Sequence, residues 1–123
     1  MLNQYTATIT TNADGAATVY LGSRIRGQIQ AILYAPGTLA TGADLTITGE
    51  TTGVPVLTKA NAGVDNLWFR PMAPASKVAD GAASTLTECP VWLYLERLKV
   101  VVAEGGNAGV GTITLWVDEP VDG

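Results

Sequence analysis

With 123 residues, 47% of them hydrophobic and 15% charged, the chain is long enough to bury one core and too apolar to remain disordered. A formal net charge of −4, with the seven Lys and Arg scattered, excludes the basic patch of a nucleic-acid binder and the polybasic surface of a membrane binder. Histidine is absent and Cys89 is the single cysteine, which removes the commonest general base, the commonest metal ligand and any intrachain disulfide.

Period-two patterning runs from end to end. Tyr5, Ala7 and Ile9 alternate with Thr6, Thr8 and Thr10, the mark of a half-buried strand over 4–11. Asn12-Ala-Asp-Gly15 supplies a turn, and Ala17, Val19 and Leu21 resume the alternation, so residues 4–22 read as a β-hairpin. A third strand is expected over 28–34, with Ile29, Ala31 and Leu33 on one face and Pro36-Gly37 ending it. Short strands follow over 44–49, where Leu45 and Ile47 point inward, then over 54–58 and 66–70.

Residues 71–90, rich in Pro, Ala and Ser, read as one long irregular loop or arm. Strands resume at 91–94, 97–103 and 112–118. Leu98, Val100 and Val102 share one face, as do Ile113, Leu115 and Val117, and the short connection predicts that these last two strands pair antiparallel. No stretch has helical periodicity. The pattern predicts an all-β chain, a single domain over 1–123: an antiparallel β-sandwich, jelly-roll-like or Ig-like, of about eight short strands.

The glycine-rich stretch Glu104-Gly-Gly-Asn-Ala-Gly-Val-Gly-Thr112 invites comparison with a phosphate-cradling loop. Thr112 stands where the lysine must be, and a strand rather than a helix follows, so a hairpin turn is the expectation. Asp14, Asp44, Asp65 and Asp80 lie in turns without calcium-loop spacing, and Glu88 and Glu96 carry no signal. The expectation is therefore no catalytic residue, no metal and no cofactor. The first residues lack the regions of a secretion leader, and no run of about 18 apolar residues spans a membrane.

The aromatics say more. Trp68, Phe69, Trp92, Tyr94 and Trp116 all fall in the second half. Trp116 is out of phase with Ile113, Leu115 and Val117, and Trp92 and Tyr94 share a face opposite Leu93 and Leu95. Together with Tyr5 and Arg70 they are the candidate interface, since Trp, Tyr and Arg are enriched where proteins meet. A second layer of core and a platform for stacking sugars are the other readings of these rings.

The blocks "YTATITTNADGAATVYLGSRIRGQIQAILYAPG", "GADLTITGETTGVPVLT" and "ERLKVVVAEGGNAGVGTITLWVDE" resemble small virion structural proteins of tailed bacteriophages. The resemblance implies a head decoration, or cement, protein made in the host cytoplasm and carried on the capsid exterior. Its partners would be the major capsid protein and itself, as a dimer or trimer, with neither nucleic acid nor membrane. A tail or head–tail subunit and a carbohydrate-binding module of a virion are the alternatives.

Overall fold

The computed structural model describes residues 1–120; the last three residues of the expected domain lie outside them. The described residues form nine strands and no helix: β1 (Leu2–Thr10), β2 (Ala17–Ala35), β3 (Asp44–Gly49), β4 (Pro55–Lys59), β5 (Leu67–Phe69), β6 (Met72–Ser76), β7 (Ala83–Pro90), β8 (Trp92–Ala103) and β9 (Val110–Asp118). They build an antiparallel β-sandwich with a separate two-stranded ribbon, β6–β7.

Strand β2 belongs to both layers. Its first part, from Ala17 to Gln28, pairs with β8, while Gln28 to Ala35 pair with β9 and Ile32 to Tyr34 also with β5. One layer, called A here, is thus β4-β3-β8 with the first half of β2. The other, B, is β1-β9 with the second half of β2 and β5. Register slips between Leu21 and Ile25 and between Ile29 and Ala31 let β2 bend from one layer into the other, because a bulge adds twist and a kink. Between the layers lie Ile9, Ile32, Ile113, Leu115 and Val117 from B and Leu21, Leu45, Ile47, Leu98, Val100 and Val102 from A, all buried.

The strands expected up to residue 22 and over 28–34 are one strand, β2, and those expected over 91–94 and 97–103 are one strand, β8, because bulges bend a strand without ending it. Three further expectations change. Strand β1 pairs with β9 rather than β2, and β8 and β9 flank β2 instead of pairing with each other. The turns after β1 and β8 are therefore arches that cross the sandwich. Alternation shows that each strand has one buried face; it does not say in which layer the chain continues. Second, the slip after Ile29 reverses the phase of β2, so Ile32 and Tyr34 are buried while Ala31 and Leu33 face the other way.

Third, residues 71–90 are an ordered ribbon rather than an irregular loop. Met72 pairs with Pro90, Ala73 with Cys89, Pro74 with Glu88 and Ser76 with Ala83. The tip closes through Lys77 N–H to Ala82 O and Gly81 N–H to Lys77 O, each 2.8 Å. Its prolines suppress a strand reading because proline donates nothing to a ladder, yet at the edge of a ribbon that donor is not required.

The two arches dock on each other through Thr11, which is buried. Its hydroxyl donates to Gly106 O at 2.6 Å and accepts from Gly109 N–H at 2.8 Å, while Gly105 N–H reaches Gly15 O at 2.8 Å. Replacing Thr11 by Val keeps the shape and strands both partners. We expect about 1.5 kcal/mol lower stability by urea unfolding, and an unchanged midpoint would show that these bonds contribute nothing to closing that end.

Candidate interaction surfaces

Alternation along β8 breaks at Leu95. Leu93 is buried, Leu95 is exposed with φ +58°, and Glu96 takes the inward position, only 1% exposed. Its Oε1 accepts from Thr51 N–H at 3.0 Å and Thr52 N–H at 2.9 Å, and Oε2 from Tyr94 N–H at 3.1 Å. The Thr52 hydroxyl lies 3.1 and 2.9 Å from the two oxygens. Burial alone raises the Glu96 pKa, but the bonds from Thr52, Tyr94 and Thr51 prevail and hold it below its ordinary value. The carboxylate thus ties the β3–β4 turn to β8, just past the end of β3 and beside Tyr94. It lies where a side chain of residue 49 would be: a Cβ on Gly49 would stand 2.5 Å from Oε1.

The outer faces of the two layers differ in where their charges lie: on B the Asp118–Met1 ion pair sits in the end row, Leu2–Asp118. On A, Tyr20, Lys99 and Thr48 lie side by side in register. Arg97 forms an ion pair with Glu50 and places its guanidinium carbon 4.0 Å over the Tyr20 ring. On B, the rows are Gln4–Trp116–Ala31, Thr6–Thr114–Leu33–Trp68 and Thr8–Thr112–Ala35, without a charged side chain among them. The small Ala31 leaves room for Trp68 to reach across β2 and stack on Trp116, ring centroids 5.1 Å apart and planes 23° from parallel. Trp116 is half-buried beneath this stack, and Trp68 is 54% exposed.

A second apolar surface lies at the foot of the ribbon. Val54, Pro55, Ala73, Cys89, Pro90, Val91, Trp92 and Tyr94 line a cleft of about 360 Å³. Trp92 and Tyr94 form one exposed wall of it. Above the cleft, Leu86 is 94% exposed on an outward bulge of β7, where the Ser84 hydroxyl accepts from Leu86 and Thr87 N–H at 3.2 Å each. Val78 stands fully exposed at the tip.

The residues selected from the sequence therefore separate. Trp68 and Trp116 come together on layer B, with exposed Arg70 two residues along from Trp68. Trp92 and Tyr94 come together at the cleft. Phe69 turns inward and packs against the core. Tyr5 does the same, and its hydroxyl donates to Glu119 Oε2 at 2.6 Å, beside Asn3 Nδ2 at 2.5 Å. Burial first, then the Glu119 carboxylate, pushes the Tyr5 pKa up to about 12. In the glycine stretch the Gly105 and Gly109 amides are engaged with Gly15 and Thr11, as described above.

Sequence reasoning missed Glu96, Leu86 and Tyr20. Glu96 had a signal: Leu93 and Leu95 are odd-numbered, while Leu98, Val100 and Val102 are even-numbered, so the inward phase had to slip between them. Among the described residues no three His, Cys, Asp or Glu gather as a metal site, and no helix is long and apolar enough to cross a membrane. Comparisons with protein-family models, curated proteins and solved structures find no match to the chain.

Proposed function

We propose that the chain is a bacteriophage capsid decoration protein, which binds the outside of the head and stabilises contacts between major capsid subunits. One observation carries the reading: the body has two separate uncovered apolar surfaces, the Trp68–Trp116 face of layer B and the cleft with its ribbon. A bridging subunit needs at least two such surfaces. In this reading layer B lies against the shell through the neutral rows around Trp68 and Trp116, with Asp118, Met1 and Arg70 kept hydrated beside them, whereas burying layer A would desolvate Lys99, Arg97 and Glu50 in the midst of its face. The protein then stabilises the shell by linkage, adding contacts that exist only in the assembled state.

The test mixes the purified protein with capsids lacking it, pellets them and counts bound copies. Saturable binding at hundreds of copies per particle, with a rise in the capsid's heat resistance, is the expected result. Replacing Trp68 by Ala should weaken that binding about tenfold, as loss of a central aromatic anchor does. Absence of binding to intact heads would overturn the proposal.

An exposed, flat Trp68 among Thr and Gln side chains also suits a sugar, and this is the second reading. A glycan that quenches tryptophan fluorescence, with the response lost in Trp68→Ala, would favour it.

A further inference from the structure

The ribbon is an incomplete structure. A two-stranded hairpin is marginal in water by itself, and this one leaves Val78 at its tip and Leu86 on its bulge uncovered. The apolar cleft at its foot is open. An exposed knob and an exposed socket on one chain are what an isologous pair requires, since a twofold axis gives each copy's knob the other's socket.

We infer that the ribbon docks on a second copy of this chain. Two ribbons lie side by side, antiparallel, with the tip of each at the foot of the other. The ribbon's register makes this arrangement self-consistent. The foot is the Met72–Pro90 pair and the tip spans 77–82. Leu86 sits about midway between them. Bringing Val78 into the cleft of the second copy therefore brings Leu86 against Leu86 of that copy at the twofold axis. It also carries Lys77, exposed next to Val78, toward Glu88 of the second copy, which is exposed one residue before the cleft-lining Cys89. The remaining tip charge, Asp80, is occupied locally, accepting from Ala82 N–H at 3.0 Å. Side by side, the ribbons form a four-stranded layer, which has the strand number that one ribbon lacks. Residues 72–90 with Val54, Pro55, Trp92 and Tyr94 match the roughly 20–30 residues a side that a stable interface uses.

This inference gives the cleft and ribbon to a second copy, so that a dimer would bridge through its two Trp68–Trp116 faces, one from each copy; its test needs no capsid. Sedimentation equilibrium of the free protein, from about 1 µM to about 100 µM, should give twice the chain mass. Leu86→Asp places two carboxylates together on the axis and should weaken association at least tenfold, while the urea midpoint of the isolated monomer stays that of the parent.

Cys89 provides a second readout, as the chain's one thiol and a lining residue of the cleft. Val78→Cys adds a thiol at the tip, about five residue rows or roughly 17 Å from Cys89 of the same chain. That is beyond the ~7 Å Cα separation a disulfide permits. Mild oxidation should therefore yield a covalent dimer that reducing agent reverses. A parent protein that sediments as a monomer throughout would overturn the inference. So would association that Leu86→Asp leaves intact, or a Val78→Cys variant that gives no more crosslink than the parent.

Discussion

Replacing Glu96 by alanine is expected to lower the unfolding free energy by about 3–4 kcal/mol, the largest effect of any single change on this surface. The reason is the number of donors that converge on one carboxylate. Thr51 N–H, Thr52 N–H, Tyr94 N–H and the Thr52 hydroxyl all turn toward it within 3.1 Å. An alanine leaves those donors without an acceptor and opens a space over Gly49. Glu96→Gln should lose less, about 1–2 kcal/mol, since it keeps one acceptor oxygen but turns an amide N–H₂ toward other donors.

The acid side of the stability curve carries the same signature. The folded pKa of Glu96 lies below its ordinary value of 4.5, with burial opposing and hydrogen bonds prevailing. A carboxylate of this kind contributes fully above the unfolded value. That contribution drains away as pH falls through the lower folded value. Glu119 follows the same sign: burial opposes, and bonds from Tyr5 and Asn3 prevail. Urea midpoints measured from neutral pH downward should therefore fall below about pH 4.5, and more shallowly in Glu96→Gln than in the parent. An alanine variant within about 1 kcal/mol of the parent would mean that the β3–β4 turn is held by something other than this carboxylate.

Gly27→Ala should destabilise the fold by about 2–3 kcal/mol, although the residue lies in a strand where alanine is ordinarily acceptable. Gly27 sits where β2 leaves layer A for layer B. Gln28, next to it, is paired with Trp92 on one side and Asp118 on the other. At this crossing the end of β9 comes so close that a Cβ on residue 27 would collide with the Asp118 carbonyl oxygen and lie 3.1 Å from the Glu119 Cα. Backbone cannot move aside as the end of a flexible side chain can, so β9 must shift, loosening the joint between the layers. Hydrogen exchange should show it locally, with faster exchange at Val117 and Ile29 than at Leu98 in the variant. A variant as stable as the parent would show that the crossing tolerates a wider separation.

Much of the fold was legible from the residues alone. The inward sets Leu45/Ile47, Leu98/Val100/Val102 and Ile113/Leu115/Val117 follow from strict alternation, and all are buried. The outward direction of Trp116, Trp92 and Tyr94 follows from the same rule. Where the rule failed, it failed at bulges. Ala31 and Leu33 changed faces with the slip after Ile29, and Leu95 with the left-handed residue ahead of Glu96. A strand's faces are fixed by parity, so one extra residue reverses every assignment beyond it.

By itself the sequence determined an all-β chain, the faces of its regular strands and the turns at 12–15, 36–37 and 104–109, because these depend on local preferences and on which side of each strand is apolar. Only the tertiary structure decided which strands are neighbours: that β1 and β8 arch away from the strands that follow them, that β2 serves two layers, and that Trp68 from one strand stacks on Trp116 from another. Those outcomes depend on contacts between residues far apart in the chain. The free energy of such contacts comes from surfaces buried together, and periodicity within one strand carries no record of its partner.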